Sequence, residues 1–202
     1  MLRVPGLIRV GHKGADHVAP GNTVESFEAA LEHGVDMIEF DVLRTRADRL
    51  VLAHDYEDAG SRECLTLDEG LAERGLADRS LVSSMYPESL DLLGEVAPGL
   101  RRGWSVPRVR RDYTRSVLAL PAYAVAQVWR ARLPGQAAAR IRAGRCEAVM
   151  AHRILVSGRL VSAVHAAGGQ LYVWTVDDAR RIRALEALGV DGVITNDPRL
   201  FG

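Results

Sequence analysis

The feature that most restricts the fold is an alternation repeated along nearly the whole chain: a short apolar run, a glycine-bearing or polar turn, then a stretch with helical spacing. The apolar runs are Leu7–Gly11, Met37–Val42, Leu81–Ser84, Leu100–Val106, Ala148–Ala151, Gln170–Val176 and Val190–Thr195. Runs of this kind suit parallel strands covered on both faces, and parallel neighbours need a crossover, usually a helix. Helical patterns fill the gaps: one from Asn22 or Thr23 to Gly34, then roughly 87–96, 114–143, 157–167 and 178–187. The first has an N-cap in Asn22 or Thr23, an acid in its first turn (Glu25) and an apolar stripe of Val24, Phe27, Ala30 and Leu31. Thr66 and Glu69 form a capping box for another helix, Thr66–Arg74. One interval breaks the rule: positions 42–49, between Asp41 and the run Leu50–Ala53, are too few for a crossover. That pair is expected to be a hairpin arm that swings His54 and Asp55 toward the mouth of the sheet. Seven parallel strands plus a hairpin arm, in one domain over 1–202, fall one strand short of a closed (β/α)₈ barrel.

Chemistry is concentrated on Met37-Ile38-Glu39-Phe40-Asp41-Val42. Strand alternation puts Met37, Glu39 and Asp41 on one face and Ile38, Phe40 and Val42 on the other. Two adjacent acids repel, which is tolerable where the face looks into a site holding a cation. The alternative is a solvent-facing strand whose acids keep it soluble. Its neighbours favour the first reading. His12 ends the first strand, where α/β folds place catalytic groups, and Lys13 beside it is the only lysine in a chain with 25 arginines. His54 ends the hairpin arm, so two histidines flank the acids as an acid–base couple: one removes a proton and the other protonates a leaving group. Trp174 approaches the C-terminal end of its strand, where its ring either walls a pocket or packs in the core. His17 and His152 are secondary candidates.

Bulk properties exclude more than they select. The net charge is zero, which gives no overall argument for nucleic acid. It conceals an asymmetry: residues 14–99 hold 19 acids and 6 bases, and residues 100–202 hold 7 acids and 17 bases. Such a split marks an anion-binding side or sets the two halves against each other. Cys64 and Cys146 form neither a disulfide framework nor a metal spacing. No signal peptide is read at the N-terminus, and the longest apolar stretch, Val117–Trp129, holds Pro121 and is too short to span a bilayer. A cytoplasmic protein is expected.

Taken in order, these segments resemble the glycerophosphodiester phosphodiesterase family. Gly11-His12-Lys13-Gly14 is similar to its His-Arg-Gly, Pro20-Gly21-Asn22-Thr23 to its Pro-Glu-Asn-Thr, and Ile38-Glu39-Phe40-Asp41-Val42 to its Ile-Glu-x-Asp-Val. His54-Asp55 matches as it stands, Leu81-Val82-Ser83-Ser84 is similar to a central strand, and Trp174-Thr175-Val176 with Gly189–Pro198 resembles the closing signature. The resemblance implies a TIM-type barrel of the phospholipase-C-like phosphodiesterase kind, with His12 and His54 as the acid–base pair. Glu39 and Asp41 become ligands of Ca²⁺ or Mg²⁺. Lys13 replaces a phosphate-holding arginine as a point charge without the bidentate fork. The implied activity is hydrolysis of a small-molecule phosphodiester to an alcohol and glycerol phosphate.

The departures shape the expectation further. The family places another strand, with a third acidic ligand and a lysine, between the Thr66–Arg74 helix and the Leu81 strand. Here Leu67–Ala77 runs straight into Asp78-Arg79-Ser80. The cation loses a ligand unless Glu63 or Asp68 fills in, and the barrel's edges must be closed over, covered or paired with another copy. Two rival functions follow: a catalytically impaired relative that binds a phosphorylated ligand or partner, and a barrel phospholipase of the sphingomyelinase D type. The stretch Arg108–Arg145, nine arginines against Asp112, is either a lipid-approaching surface or a solvated face.

Overall fold

A computed structural model describes residues 6–45, 50–53, 60, 64, 66, 80–108 and 119–201. The chain runs β1 (Ile8–His12), α1 (Val24–Glu32), β2 (Met37–Arg44), β3 (Leu50–Leu52), β4 (Ser80–Ser84), α2 (Pro87–Val96), β5 (Arg101–Val106) and α3 (Ala119–Arg142). It continues with β6 (Ala148–His152), α4 (Gly158–Ala166), β7 (Gln170–Trp174), α5 (Ala179–Leu188) and β8 (Gly192–Thr195). Each parallel strand expected from the sequence is present. Val190 falls outside β8 because its N–H closes on Leu185 O at the end of α5. Thr66, expected to cap a helix, makes an isolated antiparallel bridge with Val51, and positions 67–74 lie outside the described residues.

Seven strands form a closed parallel ring in the order β1-β8-β7-β6-β5-β4-β2, with β2 pairing back onto β1. The missing strand is therefore closed over: β2 pairs directly with β4, Ile38 with Ser80 through Asp41 with Ser83. β3 lies outside the ring and pairs antiparallel to β2, Val42 opposite Leu52, which is the expected hairpin arm. Followed once around the ring, the register returns to β1 eight residues before its starting point. That is the stagger of a TIM barrel, kept here with one strand fewer.

A narrower ring needs smaller side chains in its bore. Val10, Met37, Leu81, Ala148, Met150, Tyr172 and Ile194 fill it. Gly103 and Gly192 make room: a Cβ on Gly103 would collide with Met150 Sδ, and one on Gly192 would stand 2.6 Å from the Tyr172 ring. The lower end of the bore holds Arg101, which donates to Gln170 Oε1 and, at 3.4 Å, to the Tyr172 hydroxyl. Outside the ring, Ile38, Phe40 and Val42 pack with Phe27 and Ala30 of α1 and Leu93 of α2. The second half builds a larger layer around Leu133, Leu160, Val164 and Ile182. Period-2 strands and period-3.6 helices thus bury complementary faces, and the polar inward positions of β1, β2, β4, β5 and β7 gather at the C-terminal mouth.

Candidate active site

The mouth holds an open cavity lined by His12, Glu39, Asp41, Ser105, Met150 and Trp174, with Met85 and Ile194 completing the wall. Four of the expected site residues, His12, Glu39, Asp41 and Trp174, therefore meet around one cavity. Lys13 is not among the lining residues. Its backbone is left-handed (φ 52°), and its carbonyl accepts from Asn22 N at 2.9 Å and Ser26 Oγ at 2.9 Å. Its stem lies against Gly21, where a Cβ would come within 2.8 Å of Lys13 Cβ. The glycine that departs from Pro-Glu-Asn-Thr is what lets the lysine lie there. His54 and Asp55 fall outside the described residues, as do Glu63 and Asp68. The described arm ends at Ala53, whose N–H donates to Asp41 O at 3.1 Å.

His12 is held in one tautomer by a chain that starts at an acid. Asp177 accepts from Asn196 Nδ2 at 2.8 Å, from Asn196 N at 2.9 Å and from Thr195 Oγ1 at 2.9 Å. A carboxylate only accepts, so the Asn196 amide must turn its NH₂ to Asp177 and its Oδ1 to the ring. That oxygen lies 2.6 Å from His12 Nδ1, which therefore carries the proton. The lone pair of neutral His12 sits on Nε2, 4.0 Å from Glu39 Oε2. This is the arrangement of a general base.

Glu39 is only 3% exposed. Its Oε1 accepts from Ser83 Oγ at 2.6 Å, and Ser105 Oγ stands 3.3 Å from Ser83 Oγ. Its Oε2 is buried and has no hydrogen-bond partner among the described residues. A buried carboxylate with an open oxygen requires a counter-charge or a donor from a ligand. With Asp41 on the same face, the donors are hard oxygens, the kind a hard divalent cation takes. No group of three or more His, Cys, Asp or Glu side chains able to hold a metal occurs among the described residues, so two carboxylates are what they offer. Trp174 is fixed by its indole N–H, which donates to Met150 O at 2.7 Å, and His152 packs edge-on against it with centroids 5.1 Å apart. His152 Nε2 in turn lies 2.8 Å from Arg153 Nη1, which places the secondary candidate His152 beside the wall.

Sequence reasoning missed Asn196, Asp177, Ser83 and Ser105. Asn196 and Asp177 sit in turns rich in Asx residues, where local capping is the usual role. The serines are inward positions of two apolar strands, a placement visible in the alternation but without a chemical signature.

A parallel barrel whose C-terminal mouth brings an imidazole, two carboxylates and an indole to one cavity is the layout of a barrel enzyme for a small polar substrate. The glycerophosphoryl diester phosphodiesterase family matches over residues 12–69 and 56–200, and the chain belongs to that family. The glycerophosphodiester phosphodiesterase of Caldanaerobacter subterraneus subsp. tengcongensis is 24% identical over 94% of this chain and 93% of its own length. Arabidopsis thaliana glycerophosphodiester phosphodiesterase GDPD4 is also 24% identical, over 99% of this chain and 73% of its own length. Among solved structures, an Oleispira antarctica phosphodiesterase in complex with the product sn-glycerol-3-phosphate superposes with a TM-score of 0.66 at 18% identity, covering 96% of this chain and 94% of that one. The glycerophosphodiester phosphodiesterase of Thermotoga maritima gives 0.61 at 21% identity, covering 96% of each chain.

Proposed function

We propose that this chain hydrolyses glycerophosphodiesters to an alcohol and glycerol phosphate, with His12 as general base and His54 as general acid. The observation that carries the reading is the pair of open atoms 4.0 Å apart, His12 Nε2 with its proton directed elsewhere and the buried Glu39 Oε2. A neighbouring hydroxyl of the glycerol moiety gives its proton to His12 Nε2 as it attacks phosphorus. His54 donates a proton to the departing alcohol, which leaves a cyclic phosphate. Water then opens the ring, its proton taken by the now neutral His54, while protonated His12 returns its own to the ring oxygen. Glycerol phosphate forms and both histidines are restored. Glu39 and Asp41 would hold a divalent cation, Ca²⁺ or Mg²⁺, whose chemistry is to screen the phosphodiester charge. The Trp174 ring bounds the substrate on the β7 side, and Lys13 supplies positive charge next to His12 in the sequence. A cytoplasmic location belongs to this reading: Cys146 is a buried free thiol, and no described helix is long and apolar enough to cross a membrane.

Turnover of glycerophosphocholine, followed by choline release with added Ca²⁺, Mg²⁺ or Mn²⁺, tests the proposal. His12→Ala, His54→Ala and a chelator are each expected to reduce the rate at least about a hundredfold, the usual weight of a general acid or base. Two carboxylates among the described residues, where the resemblance implies three ligands, motivate a second reading, a family member that binds a phosphorylated ligand without turning it over. No release from any of several glycerophosphodiesters would select that reading. Release from intact sphingomyelin instead would select a phospholipase of the sphingomyelinase D type.

A further inference from the structure

We propose that Ser83 and Ser105 are positioning residues, a two-hydroxyl relay that fixes the Glu39 carboxylate and keeps its Oε2 turned toward the cavity. The proposal rests on the reading of Glu39 as a group that holds a ligand. Proton counting sets the direction of the relay. Glu39 can only accept, so Ser83 spends its single proton on Oε1, at 2.6 Å. The Ser83 oxygen then accepts from Ser105 Oγ, 3.3 Å away. Both serines are buried, 1% and 7% exposed, and Ser105 is itself part of the cavity wall. The relay therefore runs from the wall of the cavity to the far oxygen of the acid.

Its origin is the ring closure. Glu39, Ser83 and Ser105 stand on β2, β4 and β5, which are consecutive in the ring because β2 pairs directly with β4. The wall beside Glu39, where the resemblance implies an acid and a lysine on an extra strand, is here built from two neutral hydroxyls. A hydroxyl adds no charge to the wall and takes none away. What the relay removes is rotation: the terminal torsion of glutamate is broad, and a short charge-assisted bond at Oε1 selects one orientation of Oε2. Outer partners that orient a ligating carboxylate are worth about 10–100-fold in affinity or activity.

The test compares Ser83→Ala, Ser83→Thr and Ser105→Ala in the full chain. It uses Mn²⁺ binding by calorimetry without substrate, and kcat and KM for glycerophosphocholine. Ser83→Ala is expected to weaken Mn²⁺ binding about tenfold or more and to lower kcat with little change in KM. Ser83→Thr, which retains the hydroxyl, recovers to within about threefold of the parent, and Ser105→Ala falls between the two. A thermal-unfolding cycle of Ser83→Ala with Glu39→Gln supplies a readout independent of the ion. The coupling between the two changes is expected to be about tenfold in the unfolding constant. Parental Mn²⁺ affinity and kcat in Ser83→Ala overturn the proposal, as does Ser83→Thr being as impaired as Ser83→Ala. The failure of the underlying reading looks different: Glu39→Gln itself would bind Mn²⁺ like the parent, while the unfolding cycle still reports the bond.

Discussion

At the residue scale, the site depends on where two protons sit. His12 presents a lone pair at Nε2 only because Asp177 turns the Asn196 amide, and Glu39 presents Oε2 only because Ser83 occupies Oε1. Asn196→Leu removes the acceptor at His12 Nδ1 without touching the ring. The expected outcome is a fall in kcat of about 10–100-fold with KM little changed, read by steady-state turnover of glycerophosphocholine. His12, Glu39, Asp41 and Trp174 were legible in the sequence because each is a chemically distinctive side chain at a strand position. Asn196, Ser83 and Ser105 were not: an amide or a hydroxyl acquires its role from the strand it faces, and a linear sequence does not state who faces whom. Lys13 is a distinctive residue next to the base, and its stem lies against Gly21.

At the scale of elements, the alternation of apolar runs and helical patterns specified every parallel strand, and the short interval after Asp41 specified the β2–β3 hairpin. What it did not specify was how seven strands close. The direct β2–β4 pairing satisfies the backbone groups that a missing strand would otherwise leave at two edges. The cost of the tighter ring falls on the glycines in the bore. Gly192→Ala would place a Cβ 2.6 Å from the Tyr172 ring and 2.9 Å from Ile8 O, and neither a ring locked in the bore nor a backbone carbonyl yields easily. Its expected destabilisation is about 1–3 kcal/mol. At about 2–4 °C per kcal/mol for a chain of this size, calorimetry would show a clear drop in Tm. Gly103→Ala meets Sδ and Cγ of the unbranched Met150 side chain instead, which yields more readily than a ring or a backbone carbonyl, and the smaller shift expected there is a control.

At the scale of the whole molecule, the acidic first half and basic second half meet across Asp91 and Arg145, 3.2 Å apart and both well exposed. An exposed pair of this kind contributes less than about 1 kcal/mol, so the asymmetry tells more about surface potential than about stability. A larger pH effect comes from Cys146, in the outer core layer just before β6, whose thiol is pushed up to about 11 by burial, with Arg140 pulling the other way. The unfolded thiol ionises first as pH rises. The contribution of this thiol is therefore constant below about pH 9 and falls between about 9 and 11, by about 3 kcal/mol at most. Cys146→Ala is expected to flatten that limb in denaturant titrations across the same range.

A chain with 25 arginines and a single lysine offers acylating dyes one ε-amine, the α-amino group aside. That amine belongs to the residue that follows the base, in a loop tied by Ser26 to the start of α1. A fluorophore attached there would mark a single defined position, on a stem that lies against Gly21 in the loop after β1, without any engineered cysteine.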